Sequence, residues 1–180
     1  MEQQTINLHP FRGGAAVELD ITCTIGRQSH LLQVDFRLQG DLKAVAIPPP
    51  AERPARRHQL WENTCLECFV AAEGSPAYWE FNLSPTGNWN AYHFDDYRRG
   101  MREEQAVPEL IVDMRREPNL LCLGCRIDLG GLGLDRQTLD MGPAAFVRSS
   151  DGRNTYHAAA HPGLKPDFHR REAFILKVSP

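Results

Sequence analysis

At 180 residues, 42% hydrophobic and 24% charged, the chain has the composition of a soluble globular protein and can bury a core without disulfides or metal. A net charge of −3 lacks the basic excess of a nucleic-acid binder, and no stretch reaches the roughly 20 apolar residues of a membrane span. Met1-Glu2-Gln3-Gln4 lacks the positive and apolar regions of a secretory signal, and five cysteines make an odd count, so a cytoplasmic protein with free thiols is expected.

Val17, Leu19, Ile21, Cys23 and Ile25 alternate with mostly polar residues. After a turn at Gly26-Arg27-Gln28-Ser29 the alternation resumes through Leu32, Val34, Phe36 and Leu38. A period of two on both sides of a turn predicts a β-hairpin. Leu42 to Ile47 is a shorter candidate strand, ended by Pro48-Pro49-Pro50. From Pro48 to His58, prolines and arginines without periodicity predict an extended surface loop. The apolar-rich runs Leu60 to Ala72, Ala77 to Leu83 and Trp89 to Phe94 are separated by Glu73-Gly74-Ser75-Pro76 and Ser84-Pro85-Thr86-Gly87. Turns of that composition between such runs predict a three-stranded meander. Tyr97 to Glu104 is charged and reads as a short helix or a loop, with Arg98-Arg99 beside Asp95-Asp96 a surface charge cluster. Strand candidates follow at Leu110 to Met114, Leu120 to Leu129, Ala144 to Arg148, Asn154 to Ala159 and Ala173 to Val178. Roughly nine or ten strands, with no long helical stripe, predict an all-β fold: one antiparallel β-sandwich domain over residues 1–180.

Strand alternation sorts the meander by face. Trp79, Phe81 and Leu83 form one set and Tyr78, Glu80 and Asn82 the other; Leu66, Cys68 and Val70 oppose Cys65, Glu67 and Phe69. With the apolar sets toward the core, Glu67, Glu80 and Asn82 share the other face of one sheet. That face is either the wet side of an antiparallel sheet or a binding surface. Residue choice favours binding, because Leu60 to Phe94 contains no lysine or arginine but does contain Trp61, Trp79, Trp89, Tyr78 and Tyr92. Aromatic platforms with carboxylate and amide acceptors suit a neutral polyol or sugar.

Two further constellations invite a metal reading. Cys65-x-x-Cys68 and Cys122-x-x-Cys125 resemble zinc pairs, but inside strands an offset of three puts the thiols on opposite faces, roughly 10 Å apart along the chain. His161, Asp167 and His169 could form a two-histidine, one-carboxylate set on a Pro/Gly loop, or the same loop could frame a ligand pocket. Haem would need an axial pair, and the methionines and histidines form no such motif. Neither a nucleophile elbow nor a zincin motif occurs.

Leu60-Trp61-Glu62-Asn63-Thr64-Cys65-Leu66-Glu67, the run Tyr78 to Trp89, Tyr97-Arg98-Arg99-Gly100-Met101 and the block His161 to His169 together resemble the bacterial DOMON-like family. That family is similar to the family 9 carbohydrate-binding modules and the haem-binding DOMON domains. The resemblance implies an immunoglobulin-like or jelly-roll sandwich with a ligand site on one sheet. It also implies sugar contacts from a Trp and a Glu six residues later, the spacing of Trp61 and Glu67. A second aromatic completes the clamp in the sugar-binding relatives; Trp89, Tyr156 and His157 are the candidates, and His157 stands where family members often carry Trp.

The expected protein is therefore a small-ligand-binding module, with a sugar or sugar derivative on the sheet of Trp61, Glu67, Glu80 and Asn82. Trp89 or Tyr92 would close the site and His161, Asp167 and His169 would form its rim. No resident cofactor is expected, haem and metal being disfavoured. Neither nucleic acid nor membrane is an expected partner, and oligomeric state is left open. The alternatives are an enzyme acting on cell-wall or nucleotide sugars through Glu67 and Glu80, a haem-binding module and a protein-interaction module.

Overall fold

The computed structural model describes residues 3–14 and 16–180. Its strands are β1 (Gln3–Pro10), β2 (Leu19–Gln28), β3 (Leu31–Gly40), β4 (Cys65–Ala72), β5 (Tyr78–Leu83), β6 (Trp89–Phe94), β7 (Arg102–Glu103), β8 (Val112–Glu117), β9 (Leu120–Asp128), β10 (Leu139–Arg148), β11 (Asn154–Ala158) and β12 (Leu176–Val178). All pair antiparallel, in two sheets. Sheet A runs β1-β2-β3-β9-β8. Sheet B runs β7-β6-β5-β4-β10-β11, and β12 joins β10 beyond the end of β11. β1 belongs to both, pairing with β2 through Leu8 and with β11 at His9 and Pro10.

The predicted all-β sandwich is the observed one. Between the sheets lie Ile21, Cys23 and Ile25 of β2, Val34, Phe36 and Leu38 of β3, and Leu121, Leu123 and Cys125 of β9. Sheet B meets them with Leu66, Cys68 and Val70, with Phe81 and Leu83, and with Met141, Ala145 and Val147. Each large apolar side chain buried here contributes roughly 1.5–3 kcal/mol. The CxxC pairs divide as strand geometry requires: Cys68 and Cys125 enter this core, while Cys65 and Cys122 lie on the outer faces.

Several local expectations change. The hairpin of β2 and β3 closes later than the Gly26–Ser29 turn, on Ser29 and His30, where Ser29 takes a left-handed φ of 54°. Leu42 to Ile47 is not a strand. Leu42–Ala44 is a 3-10 turn capped by the Asp41 carboxylate, which accepts from the Lys43 N–H, and only an isolated bridge joins Val45 to Ser149. β1 was not legible, because its outward residues are Gln, Thr and Asn and only Ile6 and Leu8 mark its inner side. Tyr97 to Glu104 forms a loop ending in β7, which pairs with β6.

Candidate functional site

The outer face of sheet B is where the polar half of the meander lies, and cross-strand register fixes its layout. One row runs Tyr92, Glu80, Phe69, Gly142 across β6, β5, β4 and β10. The next runs Asn90, Asn82, Glu67, Ala144, Ala158. Beyond these come Cys65, Phe146 and Tyr156, then Arg148 beside Asn154. Glu67 and Glu80 thus sit on the central strands. The row-mates of Glu67 toward β11, Ala144 and Ala158, are small, which leaves a hollow beside the carboxyls.

This face is not a wet sheet surface. β4 is buried on both sides along nearly its whole length. The chain after β11 folds back across it, and Phe69, Tyr78, Phe94, Ala144, Ala173 and Phe174 form a second apolar cluster there. Gly142 permits the close approach, since a Cβ at that position would stand 2.7 Å from the Phe174 ring. Where the covering segment stops, a cavity of about 750 Å³ remains. It falls within the roughly 300–1,000 Å³ of small-molecule sites. Trp61 and Phe94 line it toward β6, Phe146, Tyr156 and Phe168 toward β11, and Glu67 and Glu80 lie between.

Both carboxyls are deeply buried, Glu67 at 5% exposure and Glu80 at 4%. Burial pushes the Glu67 carboxyl well above the usual carboxylate range, the neighbouring Glu80 charge adds to this, and Arg98 opposes it. Burial likewise pushes Glu80 up to about 7, against a hydrogen bond from Asn82 and the charge of Arg98. Asn82 Nδ2 donates to Glu80 Oε1 at 2.8 Å. The Tyr78 hydroxyl accepts from the Arg98 backbone N–H at 3.1 Å and shares a hydrogen bond with His169 Nδ1 at 2.8 Å. The other ring nitrogen of His169, Nε2, faces Glu80 Oε2 at 3.7 Å. Burial and nearby Arg98 push His169 down to about 4, so at neutral pH this contact is not an ion pair.

Two arginines reach the cavity from outside the meander. Asp95, Asp96, Arg98 and Arg99 are all exposed, as expected of a surface charge cluster, but Arg98 also lines the site, where it donates to Asp167 at 2.9 Å. Arg148 stands at the rim and donates to the Glu62 carbonyl at 3.3 Å. The basic-free meander therefore does not make a basic-free site, because cations arrive from β10 and from the loop after β6. Against the desolvation of partial burial, hydrogen bonds from Tyr97 and Arg98 hold Asp167 below the usual carboxylate range.

The remaining expected residues divide by position. Trp61, Glu67, Glu80, Asp167 and His169 meet in the cavity, while Asn82 lies beneath it, bonded to Glu80. Tyr92 stands behind Trp61, ring centroids 5.6 Å apart, and bonds His58 Nδ1. Trp89 does not reach the cavity: it faces the inter-sheet core and carries the Arg56 guanidinium 4.5 Å over its ring. His161 also lies outside, its Nε2 bonded to the His9 carbonyl and its ring against Phe11. Of the three candidates for the second aromatic, Tyr156 lines the cavity; His157, one residue on, points to the opposite face and is buried there. Phe146 and Phe168 were not singled out from sequence, although Phe146 could have been found from its alternation in β10. Among the described residues, no group of three or more His, Cys, Asp or Glu side chains is placed to hold a metal ion.

No protein-family model matches the chain, and no curated protein does. Solved structures do. A candidate carbohydrate-binding protein from Bacteroides uniformis superposes with a TM-score of 0.66 at 15% identity, over 97% of this chain and 84% of that one. A family 9 carbohydrate-binding module from Caldicellulosiruptor kristjanssonii in complex with cellotriose superposes with a TM-score of 0.50 at 10% identity, over 86% of this chain and 72% of that one. At these identities the likeness establishes a shared sandwich fold.

Proposed function

We propose that the cavity on sheet B binds a carbohydrate. The observation that carries this reading is a pair of buried carboxyls set between two aromatic walls on one sheet face. A pyranose ring presents apolar C–H faces to aromatic rings and a belt of hydroxyls to planar acceptors, so both halves of the site have a use. Trp61, buttressed by Tyr92 and His58, is the stacking platform, and Tyr156 with Phe146 and Phe168 forms the facing wall. Glu67 and Glu80, with carboxyls that can be protonated at neutral pH, can accept from hydroxyls or donate to them.

The sugar-bound neighbour of the same fold supports the reading, as do the sequence blocks that resemble the DOMON-like family. Membership of that family is part of the proposal, as is a cytoplasmic setting. Calorimetric titration with a panel of mono- and disaccharides tests it. Wild type should bind at least one of them, and Trp61→Ala should lose at least tenfold in affinity, about 1.4 kcal/mol or more, with its melting curve retained. A wild-type protein that binds no sugar in the panel overturns the proposal.

A further inference from the structure

The charge of the ligand follows from how the floor of the cavity is neutralised, given the sugar-binding reading above. Glu67 faces the cavity at 5% exposure, and among the described residues no group donates a hydrogen bond to its carboxyl. Directly across the strand, Asn82 Oδ1 is fully buried and also lacks a donor. Glu80 has the Asn82 amide on one oxygen, and on the other only His169 at 3.7 Å, beyond hydrogen-bond range.

Among the described residues, no lysine or arginine forms an ion pair with either acid, and the charge of Arg98 acts on them only from a distance. Arg98, the nearest, has its guanidinium on Asp167, and Tyr97 shares that carboxylate. Arg148 holds the Glu62 carbonyl at the exposed rim. His169 is neutral. The Tyr78 hydroxyl, pushed up to about 12 by burial, and the buried Cys65 thiol keep their protons and contribute no positive charge. Two buried carboxyls without a counter-ion must hold a proton or receive a cation from the occupant. A metal ion would have only these two protein ligands, since no group of three occurs among the described residues, and would have to complete its shell with water. An ammonium needs no such shell. It carries three donors and one positive charge, against the single donor of a hydroxyl.

We propose that the floor formed by Glu67 and Glu80 receives a protonated amino group, so that the ligand is an amino sugar or a closely related polyhydroxylated amine. Its ring lies between Trp61 and Tyr156, and its ammonium replaces the proton that the two carboxyls hold in the empty site. Binding therefore releases protons at pH values where the pair is not yet ionised. Affinity rises with pH through about 7, as Glu80 ionises, and falls again once the amine itself loses its proton.

Titration calorimetry with D-glucosamine, D-galactosamine and 6-amino-6-deoxy-D-glucose, each beside its neutral parent and, for the first two, its N-acetyl derivative, tests this in two buffers of different ionisation enthalpy. At least one amine should bind tenfold or more tighter than its parent at pH 7, with proton release. N-acetylation should remove the advantage, and so should Glu67→Gln, with Glu80→Gln as the second variant should the first fail to fold. Neutral sugars that bind as tightly as every amine overturn the amine inference and leave the sugar reading standing. Failure of all the sugars overturns both. A calcium-induced rise in melting temperature that no amino sugar competes with overturns the inference in favour of a metal.

Discussion

The two outer faces of the sandwich come from the same chain and the same kind of strand, yet they are built differently. On sheet A, cross-strand rows read Thr5, Thr24, Asp35, Gly124, Asp113, and Asn7, Thr22, Arg37, Cys122, Arg115. Acids, bases and hydroxyls are mixed, and β3 alternates between buried and exposed residues, the pattern of a face left to solvent. On sheet B, the two rows that hold Glu80 and Glu67 carry acids and amides without a base, packed among aromatics and bordered by the C-terminal segment. Solvated charge is inexpensive wherever it falls; buried charge has to be answered by a partner or a proton. The carboxyls of sheet B thus point to a site, whereas Asp35 and Asp113 only solvate a sheet.

The most severe test of this contrast removes the packing under the covering segment. Phe69 is fully buried beside Tyr78, His169 and Phe174. Phe69→Ala should cost about 3–5 kcal/mol in urea unfolding. A cost below about 1 kcal/mol would mean that this face is not a second core. Gly142→Ala comes next. Its Cβ would meet the Phe174 ring at 2.7 Å, and Ala173 O at 3.3 Å. A loss of about 1–3 kcal/mol is expected, together with faster proteolysis within residues 160–175. Unchanged protection there would show that the segment is held by other contacts.

Protonation sharpens the same comparison. Glu80 has a folded value of about 7 against an ordinary 4.5, so its contribution is fully present below pH 4.5 and is lost as pH rises through about 7. Glu67 acts with the same sign. His157 and His169, both held near 4, act oppositely: stability is lost as pH falls from about 6.5 toward 4. Comparing wild type with Glu80→Gln isolates the carboxyl. The variant should gain ~1–3 kcal/mol relative to wild type between pH 4.5 and 7.5, measured as the difference in urea midpoints times the slope. A pH-independent difference would mean that Glu80 is not desolvated.

How much of this was legible in the sequence differs between the two sheets for a physical reason. Alternation sorted the faces of β4 and β5 correctly because strand geometry is local: Glu67 and Glu80 had to share a face once Leu66 and Phe81 faced the core. The hairpin of β2 and β3 was legible on the same ground. What covers a face is not a local property. The C-terminal segment reaches sheet B from nearly a hundred residues away, so a face that reads as half wet is in fact enclosed. Arg98 and Arg148 enter the cavity by the same long-range route. Trp89 shows the opposite failure: an aromatic that looks like part of a clamp lies on the core side, because Asn90 and Tyr92 are the residues of β6 that lie on the same face as Asn82 and Glu80.

The smallest expected effect lies on sheet A and serves as the control for all the others. Arg115 is a β8 residue opposite Cys122, paired with Glu117 on the same strand and largely exposed. An exposed pair of this kind contributes about 0–1 kcal/mol, since high dielectric and salt weaken it and two side chains must be ordered to form it. Arg115→Ala should therefore shift the urea midpoint by less than Gly142→Ala does, and leave any sugar affinity unchanged. If it weakened sugar binding as much as Trp61→Ala, a ligand surface would lie on sheet A, and the distinction between a solvated face and a binding face would have been drawn on the wrong sheet.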